Sequence, residues 1–319
     1  MPTTISNDCE PVVPENWLLQ RAHKIRAYLS LIRVYQWPKN LLIFVPLLIS
    51  HEFEIEDMLD ACTAFLAFSL TASSSYVFND LRDIHSDRTH HFKWKRPLAR
   101  GDISETAGIL LMLALVGAGF GLSMLLPISF TVCLVVYLAG SIGYTLIFKR
   151  MLGLDIVVIA CLYVMRVIAG DEAIGSNLVG LDSSDWILGF SCLLFLSLAI
   201  IKRCSELSVM SDGAPDSDIM PGRAYRIEDF HVMISLAGAS ALCSVAIFVR
   251  YIGSPEVSGN FQHPRVLWLI VPLMVYWLIR LILLANRGKI NQDPMVYTVR
   301  DRISQLCCLA VIALTLIAW

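Results

Sequence analysis

Charge is what this chain lacks. Of its 319 residues only 16% are Asp, Glu, Lys or Arg, while 56% are hydrophobic; an ordinary soluble domain carries about 25% charged residues. A soluble fold of this size would have to expose an implausibly apolar surface, and the same apolar content excludes an extended disordered chain. Net charge is nearly absent as well. The 25 Lys and Arg against 27 Asp and Glu leave −2, which argues against a general nucleic-acid binder. The nine cysteines form no Cys-x-x-Cys and no finger spacing. Most of them lie inside apolar blocks, where a thiol behaves as a small hydrophobe, so no zinc or disulfide framework is expected. The first 35 residues are polar, with Pro11, Pro14 and several charges, and show no apolar core ending in small residues. A cleavable signal peptide is therefore not expected.

What the chain does have is apolar length. A membrane-spanning helix needs about 20 mainly apolar residues, and blocks of that kind run near 39–51, 58–79, 105–126, 128–148, 152–170, 186–205, 231–252, 265–285 and 302–319. The fold expected is all-α, a polytopic membrane bundle of about nine helices, with a cytoplasmic segment over 1–35 and a membrane domain over 36–319. Gly117 and Gly121, four residues apart in the third block, would allow close helix packing. Basic residues recur on alternate connections: Arg21 to Lys39, Arg82 to Arg100, Lys149 and Arg150, Lys202 to Arg226, and Arg287 to Arg302. The other connections carry acids such as Glu52, Glu54, Asp171 and Glu172. The positive-inside rule then places the N-terminus and the long loops in the cytoplasm, as in an inner-membrane protein.

One acidic row stands among the basic loops. The second block ends in Asn79-Asp80-Leu81-Arg82-Asp83-Ile84-His85-Ser86-Asp87. On a continuous helix residues four apart share a face, so Asn79, Asp83 and Asp87 would form one row with Asp80 on its flank. Carboxylates crowded in this way repel unless a cation sits among them. Oxygen-only donors point to a hard ion such as Mg²⁺, which keeps coordination positions open for substrate phosphates. A solvated helix end is the alternative, but the row begins inside an apolar span, where polar groups are costly and usually functional. His85 is two residues from Asp83 and so points away from the row; His90 and His91 are the other imidazoles of this loop.

Basic residues follow at once. Lys93, Lys95, Arg96 and Arg100 precede Asp102 and Glu105, which read as a capping box for the next span. Lys95 and Arg96 beside an acidic metal row suit a polyphosphate, although topology alone would also place some positive charge here. Tyr144 and Lys149 close the fourth span, and Lys202, Arg203 and Glu206 close the sixth, with Glu206 four residues from Lys202. Arg166 lies deep in the fifth block and needs a polar cavity, a lipid phosphate or an internal carboxylate such as Asp155.

Together these residues resemble the UbiA superfamily of intramembrane prenyltransferases, whose acidic signature Asn-Asp-x-x-Asp-x-x-x-Asp is matched by Asn79, Asp80, Asp83 and Asp87. The resemblance runs from Gln36-Trp37-Pro38-Lys39-Asn40 to Asp301-Arg302 and implies a nine-helix bundle with a polar cavity open to the cytoplasm. It departs from the aromatic prenyltransferases near the end of the sixth span. Their second Asp-rich motif is replaced by Ile201-Lys202-Arg203-Cys204-Ser205-Glu206, and a Lys-Arg pair would bind an anion directly. That change, with the Gln-Trp-x-Lys-Asn opening and the Lys-x-Arg-Pro loop, resembles the decaprenyl-phosphate phosphoribosyltransferases.

The resemblance implies phosphoribosyl diphosphate and a polyprenyl phosphate as substrates and Mg²⁺ as cofactor. The product would feed lipid-linked arabinose donors, for cell-surface arabinan or for an arabinosylated glycolipid such as a nodulation factor. It further implies that Asn79, Asp80, Asp83 and Asp87 hold the metal, with Asn79, Asp83 and Asp87 as the catalytic residues. Lys39, Lys95, Arg96, Tyr144, Lys149, Arg166, Lys202, Arg203 and Glu206 would line the substrate site. Two other readings stay open: prenyl transfer from a diphosphate to an aromatic acceptor, and a multi-pass transporter or scaffold without enzymatic activity.

Overall fold

The computed structural model of the chain describes residues 17–50, 54–89, 93–175, 186–213, 222–254, 257, 261–290 and 293–319. The first sixteen residues, Glu52, His90 and His91 lie outside that set. The described residues form an all-α bundle: α1 (Trp17–Leu31), a 3₁₀ helix (Val34–Phe44), α2 (Val45–Ser50), α3 (Ile55–Arg82), α4 (Ile84–Thr89), α5 (Pro97–Arg100), α6 (Glu105–Ser123) and α7 (Ile128–Leu146). Then come α8 (Leu154–Ile174), α9 (Trp186–Gly213), α10 (Phe230–Ile252), α11 (Ile270–Asn286), α12 (Pro294–Arg300) and α13 (Arg302–Ala318).

Nine apolar blocks do not become nine equivalent spans. Among the described residues six helices are long and apolar enough to cross a bilayer: α3, α6, α7, α9, and the stretches Ile227–Ile252 and Pro264–Asn286. Helices α12 and α13, bent by 85° at Asp301, make a seventh if counted as one broken span. The fifth block is α8, 21 residues long. Asp155, Arg166, Asp171 and Glu172 set it apart in composition from those six, and the first three are buried. The first block is broken. An 11-residue 3₁₀ helix containing Pro38 hands over to the short α2, whereas 3₁₀ runs are rarely longer than about four residues. Its buried residues are Lys39, Asn40 and Ile43, so the irregular backbone delivers two polar side chains to the interior.

Small residues set how closely the helices approach. The buried residues of α3 include Ala61, Ala64, Ala67, Phe68, Thr71, Ala72 and four serines, and α6 lies against it through Gly108, Leu115, Gly119 and Ser123. A Cβ added at Gly119 would come within 2.4 Å of the Thr71 hydroxyl and 2.9 Å of the Ala67 carbonyl oxygen. Gly117 and Gly121, the pair expected to mediate packing, have nothing within 4 Å of an added Cβ; both are exposed on the outer face of α6. The cap of α6 is also displaced from the reading as a capping box at Asp102. Ser104 accepts from the Ala107 amide, while Asp102 accepts from Arg100 at 2.6 Å. Helix α1 is not detached, for Ala27 and Leu31 pack with Val77, Ile84, Leu98 and Leu115.

The tightest approach is at Gly170 of α8, where an added Cβ would fall 2.1 Å from the carbonyl oxygen of Ile43 in the 3₁₀ helix. Backbone cannot give way as a flexible side chain does. Gly170→Ala is therefore expected to destabilise the bundle by about 1–3 kcal/mol, the usual cost of overpacking, while Gly117→Ala stays within about 0.5 kcal/mol of wild type. Thermal unfolding of the two variants in the same detergent checks the contrast.

Candidate active site

Helix α3 stops at Arg82 and turns at Asp83, whose φ and ψ are −93° and 8°. The acidic row is thus divided between α3 and α4 rather than lying on one continuous helix. The turn keeps the spacing, because the Asp83 amide donates to the Asn79 carbonyl at 3.0 Å and the Asp87 amide to the Asp83 carbonyl at 2.8 Å. Every carboxylate of the row meets a cation. Arg33 donates to Asp80 at 2.6 Å. Arg96 bridges Asp80 at 3.0 Å and Asp87 at 2.7 Å, and Lys149 reaches Asp83 at 3.2 Å. Asp80 and Asp87 are 3% and 2% exposed, so an unpaired charge at either would be costly.

These contacts sort the expected residues. Arg96 and Lys149 join the row; Lys95 does not, being exposed with its ammonium over the Trp94 ring at 5.9 Å. His85 is exposed. Among the described residues no three Asp, Glu, His or Cys side chains stand close enough together to cage a metal ion. The oxygen donors Asn79, Asp83 and Asp87 have the chemistry a hard divalent ion prefers, with Asp83 the most open of the three carboxylates at 25% side-chain exposure. Asp80, held by two guanidiniums, is occupied as a structural anchor for Arg33 and Arg96. Arg33 itself adopts the left-handed conformation, φ 54°, a strained backbone for a non-glycine residue. Its guanidinium also lies 4.9 Å from the centre of the Tyr76 ring.

One helical turn earlier on α3, Tyr76 lines a cavity of about 110 Å³ walled by Lys39, Tyr137, Tyr144, Tyr163, Arg166, Lys202 and Asp293. The carboxylate of Asp293 organises it. One of its oxygens accepts from Lys39 at 2.7 Å and Lys202 at 3.1 Å, and Tyr163 donates to the other at 3.2 Å. Burial alone would raise the Asp293 pKa, but the adjoining charges and hydrogen bonds of Lys39 and Lys202 outweigh it and hold the carboxyl well below the ordinary range. Arg166 does not meet Asp155. It donates to Asn40 Oδ1 at 2.8 Å, to the Tyr137 hydroxyl at 3.1 Å and to the Leu162 carbonyl. The rings of Phe68, Tyr137 and Tyr163 surround it at 5.0 to 5.3 Å.

Lys202 and Arg203, adjacent in sequence, part company. Consecutive helical residues point about 100° apart, so Lys202 faces the cavity and Arg203 faces α8. Arg203 is 0% exposed and donates to Asp155 at 2.7 Å, Glu206 at 2.5 Å and the Tyr144 hydroxyl at 2.7 Å. Glu206 thus pairs with Arg203 rather than with Lys202. Arg223 donates to the same Tyr144 hydroxyl at 2.6 Å and to the Lys149 carbonyl at 3.4 Å, and Tyr225 donates to Asp155. Tyr144 therefore stands where the cavity, the Arg203 cluster and the loop bearing Arg223 meet.

Sequence reasoning did not single out Arg33, Asn40, Tyr137, Tyr163, Arg223 or Asp293 as site residues. Asp293-Pro294 was readable as a helix start, an acceptor at the N-cap with Pro in the first turn, and Asp293 does accept from the Met295 amide at 3.1 Å. Nothing local to that pair reveals lysines that are 254 positions away in one case.

The chain is similar to known proteins along most of its length. Residues 42–297 match the UbiA prenyltransferase family. The chain is 33% identical over 301 residues to the nodulation protein NoeC of Azorhizobium caulinodans, covering 92% of this chain and 94% of that one. To protein y4nM of Sinorhizobium fredii it is 35% identical over 289 residues, 89% of this chain but only 54% of that protein's length. It is 31% identical over 181 residues to a decaprenyl-phosphate phosphoribosyltransferase of Corynebacterium glutamicum, covering 55% of this chain and 53% of that one. The solved structure of a UbiA homologue from Archaeoglobus fulgidus, bound to GPP and Mg²⁺, superposes with a TM-score of 0.66 at 17% identity, over 91% of this chain and 99% of that one. The chain is an integral membrane protein and belongs to the UbiA prenyltransferase family.

Proposed function

We propose that this protein transfers the 5-phosphoribosyl group from phosphoribosyl diphosphate to a polyprenyl phosphate. The observation that carries the reading is the cavity, where three cations, Lys39, Arg166 and Lys202, face one carboxylate, Asp293. Such a wall attracts phosphate rather than stabilising a prenyl cation. Partial likeness to a decaprenyl-phosphate phosphoribosyltransferase supports the choice. The site would open to the cytoplasm from the inner membrane. Likeness to NoeC supports a product that enters lipid-linked arabinose donor synthesis for a nodulation glycolipid.

In the proposed reaction a phosphate oxygen of the lipid forms a bond to C1 of the ribose as the C1–O bond to diphosphate breaks, releasing inorganic diphosphate. The lipid phosphate is already an anion near neutral pH, so no general base is required. Asn79, Asp83 and Asp87 would hold Mg²⁺, which when bound neutralises the diphosphate as it departs. Lys149 and Arg96, already among these carboxylates, would neutralise further oxygens. The cationic cavity would orient the remaining phosphate, and Tyr144 would join the two halves of the site. Positioning and electrostatics carry the rate in this scheme.

Purified protein in lipid nanodiscs is expected to release diphosphate and form a labelled lipid from radiolabelled phosphoribosyl diphosphate and polyprenyl phosphate. It should form none from a prenyl diphosphate with 4-hydroxybenzoate; the opposite preference would make it an aromatic prenyltransferase. Loss of activity with EDTA and recovery with Mg²⁺ are expected. Asp83→Ala should lower kcat by about 10²-fold or more, the scale of losing one preorganised electrostatic group. Near wild-type turnover in that variant would remove the acidic row from the mechanism.

A further inference from the structure

The charged clusters at this end of the bundle differ in balance. At the acidic helix end three carboxylates, Asp80, Asp83 and Asp87, meet three cations, Arg33, Arg96 and Lys149. In the neighbouring cluster Asp155 and Glu206 meet Arg203 and Arg223. The second closes to neutrality, and at the first Lys93 also acts on Asp83 and Asp87. The cavity does not close to neutrality: Asp293 is the one carboxylate in its lining, Glu206 acts on Lys202 from the Arg203 cluster, and the two clusters together keep an excess of two positive charges. Arg166 has no carboxylate partner among the described residues and donates to neutral acceptors only. Uncompensated buried cations are expensive, and three guanidinium- or ammonium-bearing side chains converging on one small cavity are suited to an anion of charge near −2.

Size narrows the anion. At about 110 Å³ the cavity is well below the roughly 300 Å³ at which pockets begin to enclose a whole drug-sized ligand, and it fits a single phosphate group. Geometry adds a rival inside the protein. Lys39 at 2.7 Å and Lys202 at 3.1 Å converge on the same Asp293 oxygen, as they would on a phosphate oxygen.

We propose that Lys39, Arg166 and Lys202 form a metal-independent subsite for a phosphate monoester dianion, and that the Asp293 carboxylate competes with that ligand for the two lysines. The subsite deepens the phosphoribosyl-transfer reading and rests on it for its source. Both substrates carry a monoester, the ribose 5-phosphate and the lipid phosphate, while the diphosphate goes to the acidic helix end. Asp293 leaves the cluster two charges in excess rather than three, which favours a monoester over a more highly charged diphosphate.

The test measures binding to the full chain in nanodiscs with EDTA present, using ribose 5-phosphate in one arm and farnesyl phosphate in the other. At least one is expected to bind. Lys202→Gln should weaken that probe about tenfold or more, and Asp293→Asn should tighten it severalfold by removing the competitor. The arm that responds names the source of the phosphate. A response of neither probe to Lys202→Gln overturns the subsite. So does an Asp293→Asn protein that weakens binding as Lys202→Gln does, since that marks a purely structural ion pair. If either variant fails to fold, wild-type protein decides: one of the two phosphates should raise Tm where ribose and farnesol do not, and no such difference sinks the proposal. Asp83→Asn separates the two readings, because it should abolish transfer while leaving metal-free monoester binding within about twofold. Monoester binding without phosphoribosyl transfer in the wild type would retain the subsite and overturn the reaction.

Discussion

Charge neutrality in a low-dielectric interior is the constraint on which the rest of this structure depends. A buried ion costs several kcal/mol even after relaxation, and a membrane bundle offers little water to offset that. Among the described residues buried charges are therefore met by opposite charge or by several hydrogen-bond acceptors. Arg203 illustrates the rule, wholly buried yet tied to two carboxylates and a hydroxyl. The acidic helix end obeys it from the other side, with Arg96 spanning two aspartates that would otherwise repel. Breaking either pairing would strand a partner, which is worse than having no pair at all.

The fold is bent where these groups require it. In the 3₁₀ segment over 34–44 the adjacent Lys39 and Asn40 are both buried. Asn40 accepts from Arg166 and donates to Ser69 at 2.9 Å. Gly170 lets α8 come close enough to the Ile43 carbonyl for that contact. At the other end of the chain, Asp293 both caps α12 and takes the two lysines. The pair Lys39–Asp293 thus closes the bundle across 254 positions. Trp37 and Trp277 donate to Ser73 and Ser304, each at 3.1 Å, so these indoles also end on small polar partners.

What the sequence made legible was composition by segment: apolar blocks, an acidic motif, basic residues near it, and their concentration in one region. What it hid was pairing. Hydropathy and spacing assign a residue to a face but carry no information about which distant face arrives opposite. Asp155 looked like the partner for Arg166 eleven positions along the same helix, yet it serves Arg203 from another helix, while Arg166 relies on amide, carbonyl and aromatic groups. Two adjacent basic residues looked like one anion site, and the helix pitch sends them to different clusters. Gly117 and Gly121 had the spacing of a packing motif but lie on the outer face, with Gly119 between them at the contact. Apolar length likewise does not separate the six strongly apolar helices from α8, whose Asp155, Arg166 and Asp171 are buried.

On the proposed reaction, the division between balanced and unbalanced clusters has a chemical consequence. Two phosphates must approach one carbon, and their mutual repulsion opposes the encounter at a distance where a dry interior screens weakly. A single basic pocket would bind whichever anion is more charged and so place both substrates in competition for it. Splitting the task avoids this. The acidic end, whose cations are already engaged by carboxylates, would favour an anion that arrives with a divalent cation, since its oxygen donors can hold that cation. The cavity, positive already, would gain from a lone monoester and resist a metal-bound one. Selectivity between substrates would then follow from whether each carries a metal, with tyrosine hydroxyls at Tyr137, Tyr144 and Tyr163 supplying hydrogen bonds that add no charge to either side.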